Sequence, residues 1–272
     1  MSILNSEDTA NSKVRLHLSQ GIAKVTLNRP DKHNSLDMEL IESLLEILAS
    51  LHTHKGLRAV ILTGNGESFC SGLDVAGVMA DPKHIQFLLS GCDGHPHNKV
   101  QHLALGWRSL PVPVIAAIKG HCYGGGLQIA LGADLRIAHP EARLSVMEGR
   151  WGIIPDMGLS VTSRGCVRED VLLRMTLTSE ILSGDQARQE GLVTEVHSDP
   201  LARAEELAAV ILERSPDMVK ASKRLLRDSY TQTDEERLAM EEKLQKRLLG
   251  TPNQMEAVMA NLQKRSPNFK TD

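Results

Sequence analysis

Short runs that are apolar from end to end constrain this chain most. Ala59-Val-Ile-Leu-Thr-Gly64 is one, and it closes on a glycine. A run of that length and kind reads as a buried strand. Before it, Ile41, Leu44, Leu45, Leu48 and Leu51 recur at helical spacing, so about 37–53 reads as an amphipathic helix with Ser35 and Asp37 as N-cap candidates. Earlier still, Val14 to Leu27 alternates around Gly21 and predicts two short strands and a turn. The cycle then repeats. Val114-Ile-Ala-Ala-Ile118 is a second buried strand, Gly124 to Leu131 a glycine-led helix, and Leu135–Ala138 and Leu144–Val146 further strands. Such alternation predicts an α/β architecture.

Beyond about residue 166 strands almost vanish, apart from Leu192–Val196. Segments 201–214, 217–229, 234–249 and 252–264 are helical by period, with Pro200, Pro216 and Pro252 at boundaries. The expected organisation is an α/β core over 1–200 and a helical region over 201–272. Residues 81–106, with Gly91, Gly94 and Pro96, read as an irregular flap.

Composition narrows the class. With 272 residues the chain can bury a full core, and 3% aromatics leave that core to aliphatic side chains. Cysteines at 70, 92, 122 and 166 form no CxxC pair, which disfavours a disulfide framework and makes the cytoplasm the expected compartment. The start, MSILNSEDTANSKV, reads as neither secretory nor transit signal, and the end, NFKTD, is not a peroxisomal address. No run is long enough for a membrane helix. A net charge of −3 argues against a nucleic-acid partner.

Gly124-Gly125-Gly126 lies between a strand and a helix. It reads either as a tight turn or as free N–H groups at a helix start, where an oxygen gaining negative charge would be stabilised. Phe69-Cys-Ser-Gly-Leu-Asp74 follows the strand ending at Gly64, so two such loops share one end of the sheet. Glu148 follows a strand and is either a solvated carboxylate or a proton carrier in an apolar cleft. Asp156 is either an N-cap or a second acid, and Gln128 falls in the first turn of the glycine-led helix. Cys92, His95, His97 and His102 read as solvated groups of a flexible loop rather than as a zinc site, so no metal is expected. A nucleophilic role for Cys70 or Cys122 has little support.

Several segments together resemble the crotonase superfamily, in order and over nearly the whole chain. They are Leu27-Asn-Arg-Pro30 with Asn34-Ser-Leu36, Phe69–Asp74, Ile115-Ala-Ala-Ile-Lys-Gly120, Gly124–Gly126 and Ala133-Asp-Leu-Arg-Ile-Ala138. Glu148–Gly158, Leu182-Ser-Gly-Asp185, Gly191-Leu-Val193 and Asn268-Phe-Lys270 complete the set. The resemblance implies a spiral of β-β-α repeats, a helical C-terminal trimerisation region, and a homotrimer or dimer of trimers. It implies an acyl-CoA substrate, with no cofactor beyond the CoA that the substrate carries. By motif position the oxyanion donors would be the Leu73 and Gly125 N–H groups, stabilising a thioester enolate. Arg29, Gly72, Asp74 and Gly124 would bind substrate, and Phe269 and Lys270 would contact the CoA adenine end, often across a subunit boundary.

The acids would decide the reaction. Hydratases of this family use two glutamates; here the first position is Gln128 and the second Glu148. The stretch Glu148–Asp156 is similar to the acidic pair of dienoyl-CoA isomerases, although those carry an aspartate at the position of Gln128. Chlorobenzoyl-CoA dehalogenases place a nucleophile at the position of Asp156 but lack the glutamate. Double-bond isomerisation is therefore expected, with Glu148, Asp156 and Gln128 as catalytic residues and an atypical hydratase as the alternative. An RNA-binding relative would need a lysine-rich helix; Leu36–His54 carries Asp37, Glu39, Glu42 and Glu46 and no lysine or arginine. Met79, Leu88, Leu89, Leu105 and Met147 are either pocket or core.

Overall fold

A computed structural model describes residues 13–228 and 231–271. Readings of the first residues, and residue 229 of the expected helix 217–229, lie outside that range.

The chain opens with β1 (Val14–Ser19) and β2 (Ile22–Leu27), antiparallel around Gln20 and Gly21 at φ 51° and 81°. Two positive φ values are what a tight hairpin matching strand twist requires. Next is α1 (Met38–Thr53), capped by Asp37, which accepts from the Leu40 N–H at 3.0 Å. Its Leu40, Ile41, Leu44, Ile47, Leu48 and Leu51 are buried, the face that the spacing predicts. After β3 (Ala59–Gly64) come α2 (Val75–Met79), α3 (Pro82–Leu89) and α4 (Lys99–Ser109). The expected irregular flap is thus mostly helical, with the loop confined to 90–98. Capping explains the difference: Asp81 precedes Pro82, and Asn98 forms a reciprocal capping box with Gln101.

Then follow β4 (Val114–Ile118), β5 (His121–Tyr123), α5 (Gly125–Gly132), β6 (Leu135–Ala138) and β7 (Arg143–Ser145). A 3₁₀ turn over Glu148–Trp151 leads to α6 (Leu159–Thr162), α7 (Glu169–Thr178), β8 (Leu182–Ser183), α8 (Gly184–Gln189) and β9 (Glu195–Val196). The last four helices are α9 (Pro200–Leu212), α10 (Pro216–Asp228), α11 (Asp234–Leu248) and α12 (Pro252–Leu262).

The larger sheet has six strands in the order β1-β2-β3-β4-β6-β9, parallel from β2 onward. The smaller has β5-β7-β8, extended by a parallel bridge between Cys70 and Cys122. Advancing along the chain, the turns that begin at β3, β4 and β6 each give a strand to the large sheet, a strand or bridge segment to the small one, and then helix. This is the expected β-β-α spiral. It leaves β3 and β4 covered on both faces, so all their residues are buried and no alternation survives.

One face of the large sheet joins α1, α4 and α5 in the main core. The other packs Ala59, Ile61, Ile115 and Ile137 against Ala204 and Ala208 of α9. The first helix of the expected C-terminal region therefore belongs to the core by packing, and α10 is tied to it by Lys223, which pairs with Asp134 at 2.7 Å and donates to the Val112 carbonyl at 2.8 Å, while α11 and α12 pack on α10. Those helices leave Leu238, Leu249, Met255, Val258 and Leu262 exposed and border a hollow of about 750 Å³ lined partly by Phe269. Among the described residues no helix is long and apolar enough to cross a membrane.

Candidate active site

The small sheet assembles the site. Segment 69–70, β5 and β7 run side by side: Cys70 donates to the His121 carbonyl, the Tyr123 N–H donates to Cys70, and Tyr123 is in register with Ser145. Each rung leaves the sheet on the same side. Leu73 follows the first, Gly125 the second and Glu148 the third.

Gly72 sits at φ 94°, and a Cβ there would lie 2.9 Å from the Tyr123 carbonyl and 3.7 Å from the Gly125 nitrogen. Only glycine permits both that backbone angle and that approach. Leu73 and Gly125 thereby become neighbours, and neither N–H donates a hydrogen bond among the described residues. At Gly125 this follows from its place at the start of α5, where the first N–H groups have no intrahelical partner. Gly126 packs on Cys70, with a Cβ there falling 2.5 Å from the Cys70 carbonyl.

The loop is fixed from outside. The Leu36 N–H donates to the Gly72 carbonyl at 2.8 Å, and the Asp74 N–H to the Leu36 carbonyl at 3.0 Å. Asn34 Nδ2 donates to the Ser68 carbonyl at 2.7 Å. Arg29 gives Nη1 to Asp74 and to Ser35 Oγ, both at 2.8 Å, and its Nε meets Asp37 at 3.3 Å. The Arg29 guanidinium holds Asp74 below the ordinary carboxylate range. These residues position the loop. Their sequence signature was the Arg29–Leu36 motif, which by itself names no partner.

Glu148 is 7% exposed and Gln128 1%. Gln128 Nε2 donates to Glu148 Oε1 at 2.6 Å, while its Oε1 accepts from the Met157 N–H at 2.9 Å. The Met157 donor fixes which end of the amide is oxygen. Among the described residues Glu148 Oε2 is buried with no partner. A Cβ on Gly124 would stand 3.4 Å from Glu148 Oε1, so the carboxylate adjoins the glycine loop. Burial raises the Glu148 carboxyl above its usual value, the Gln128 hydrogen bond opposes the rise, and the charge of Asp156 adds to it. The solvated-carboxylate reading of Glu148 falls.

Asp156 keeps surface exposure yet has lost water on its inner side, which raises its carboxyl as well. It caps no described helix: the N-cap of α6 is Gly158, and no side chain caps that end. Cys70 and Cys122 are fully buried, and burial lifts Cys70 to about 12 and Cys122 well up, which removes both as nucleophiles at neutral pH.

Two preorganised N–H donors beside a buried carboxylate suit a carbonyl compound that becomes an enolate. The profile of the enoyl-CoA hydratase/isomerase family matches residues 17–272. The chain belongs to this family. It is 36% identical to the (E)-benzylidenesuccinyl-CoA hydratase of Thauera aromatica over 77% of this chain and 80% of that one. It is 30% identical to the 1,2-epoxyphenylacetyl-CoA isomerase of Escherichia coli over 93% and 96%. A solved enoyl-CoA hydratase from Bacillus anthracis superposes with a TM-score of 0.87, at 28% identity, over 95% of this chain and 99% of that one.

As a member of the enoyl-CoA hydratase/isomerase family, the chain is an acyl-CoA enzyme, and its other expected site residues can be located. Leu105 approaches Gly158, within 3.0 Å of where a Cβ would be, and Met147 adjoins Gly124, so these two border the site. Leu88 is core, while Met79 and Leu89 are 64% and 55% exposed and face solvent in this chain. The Lys270 backbone N–H donates to Asn253 Oδ1 and its carbonyl accepts from Asn253 Nδ2 of α12, and Phe269 lines the hollow of the helical tail. Within one chain the tail pair lies against α12 and the tail hollow and makes no hydrogen bond to Glu148 or Gln128 among the described residues. Sequence reading missed Met157, whose backbone N–H sets the Gln128 amide. A backbone donor leaves no mark on residue type.

Proposed function

We propose that this enzyme moves a double bond within an unsaturated acyl-CoA rather than adding water to it. One observation carries the reading. Where a hydratase of the two-glutamate type has its first carboxylate, Gln128 stands with its oxygen held by Met157 and its nitrogen committed to Glu148. An amide cannot exchange a proton as a carboxyl does.

In this reading the thioester oxygen accepts from Leu73 and Gly125, with Gly72 and Gly124 shaping the cradle. Glu148 Oε2 takes a proton from C2 of a 3-enoyl chain, and the C–H electron pair becomes part of a conjugated enolate. The same carboxyl returns the proton to C4, the carbonyl reforms, and the double bond rests between C2 and C3. No atom is gained. With a 3,5-dienoyl chain the distal proton lies further out, where Asp156 serves. CoA arrives with the substrate, and no other cofactor is needed. The exposed apolar side chains of the tail are covered by further copies in a homotrimer or dimer of trimers, where Phe269 and Lys270 reach a neighbour's CoA.

The similarity to named hydratases favours a second reading, hydration by Glu148 with a water held on the remaining Gln128 amide hydrogen. Incubation with 2-enoyl, 3-enoyl and 3,5-dienoyl thioesters separates the two. Isomerisation gives products of unchanged mass with a displaced double bond by NMR. Products that gain one water from the 2-enoyl substrate, with no shifted alkene, establish the hydratase instead.

A further inference from the structure

The loop over 90–98 and the first turns of α4 gather side chains that the oxyanion chemistry does not use. One ligand atom each from Cys92, His95 and His102 lies within 4.8 Å of the other two. His102 is 4% exposed. Its Nδ1 meets His97 Nε2 at 2.8 Å, and among the described residues no hydrogen bond is made to its Nε2. The rings of His95 and His102 lie 4.3 Å apart between centroids, those of His95 and His97 5.1 Å, and His52 of α1 stands 6.4 Å from His95. The expectation of solvated histidines thus fails for His102.

We propose that Cys92, His95 and His102 bind a divalent ion of the zinc class, with His97 as the outer partner that orients His102. The donor set is one thiolate and two imidazoles, which suits borderline metals preferring tetrahedral N/S coordination and leaves a fourth position open. An imidazole held through one nitrogen while the other faces the ion is the usual arrangement around ligating histidines. The loop is already shaped for it: Cys92 and His97 pair across the turn through Cys92 N–H to His97 carbonyl at 3.2 Å, and His95 N–H returns to the Cys92 carbonyl at 3.0 Å. His95 is exposed, which provides an entry path.

Binding would release the Cys92 thiol proton to solvent, since the thiolate is the ligand. The ion would clasp the loop to α4, the helix that packs on α5 and carries Leu105 to Gly158 beside the oxyanion site.

The test is titration of the purified, tag-free full chain with Co²⁺, followed by displacement with Zn²⁺. One Co²⁺ per chain should bind and give visible ligand-field absorption with a near-ultraviolet thiolate-to-cobalt band. Cys92→Ser should abolish the thiolate band, and His95→Ala should weaken binding about 100-fold or more. His97→Ala should weaken it by roughly 10–100-fold, as loss of an outer partner does. Zn²⁺ should also raise the unfolding temperature of the native chain and slow amide exchange over 91–98. His95 and Cys92 are not in the buried core, so these variants test the site even if His102→Gln fails to fold. The proposal is overturned by absence of the thiolate band, or by equal Co²⁺ affinity in native, Cys92→Ser and His95→Ala proteins.

Discussion

Changing Gln128 to Glu places two carboxyl groups face to face in a nearly dry site. One oxygen of the new side chain keeps the Met157 N–H, and the other replaces the amide nitrogen 2.6 Å from Glu148 Oε1. Two full charges at that distance repel by about 6 kcal/mol at an effective dielectric of about 20, and by about 4 kcal/mol if they relax to ~4 Å. That exceeds roughly three pKa units, so the pair keeps one shared proton at neutral pH. The result is one acid and one base side by side, the arrangement that water addition needs. Hydration of a 2-enoyl-CoA should rise above the native level, and isomerisation should fall by about tenfold or more. Stability follows with a fixed sign. The shared proton is held in the folded state and lost from the unfolded chain above about pH 4.3; native Glu148, itself raised by burial, also holds a proton over the first part of that range, so stability relative to native falls once native Glu148 has ionised. From there the fall is roughly 1.4 kcal/mol per pH unit until the folded pair titrates, and the loss persists above that point. Product analysis by mass spectrometry and thermal melts across about pH 5–8 read both effects. An unfolding difference that stays flat with pH, together with unchanged isomerisation, would show that residue 128 does not face Glu148.

On the proposed mechanism Gly125→Pro removes one oxyanion donor at the first position of α5, where the Met157 and Leu36 side chains, 2.9 and 3.0 Å from where a Cβ would lie, must shift, and turnover should drop by about 10²–10³ in protein that still folds; Leu73→Ala keeps its N–H and should shift KM more than kcat. Glu148→Gln should cost about 10²–10⁴ in rate. It should also stabilise the fold increasingly as pH rises above about 4.5, because the native carboxyl is raised by burial and its ionisation opposes folding there. Asp156→Asn should slow 3,5-dienoyl substrates, spare short 3-enoyl ones and raise the melting temperature slightly at neutral pH, because burial raises the native carboxyl and the residue caps no described helix. Equal rates on both substrates would remove Asp156 from the chemistry.

The fold was legible where local rules and burial agree. Ala59–Gly64 and Val114–Ile118 announce covered strands by lacking any polar face, and Pro200, Pro216 and Pro252 each stand at the first position of a helix. Residues 82–89 and 99–109 escaped because histidine, glycine and proline nearby suggest loop, although Asn98 with Gln101 was a readable start signal. At the site, residue type pointed to Glu148 but not to its setting. The amide of Gln128 acquires its role from a carboxylate and a backbone N–H that the spiral brings in from later turns, and no periodicity encodes that meeting.

The small sheet also acts as a ruler. Adjacent strands sit about 4.8 Å apart whatever their side chains. Because the Leu73, Gly125 and Glu148 exits belong to successive rungs, the offset between the two backbone N–H groups and the carboxyl is set by main-chain spacing. Side-chain exchange at any exit changes the chemical group presented there and leaves that spacing in place.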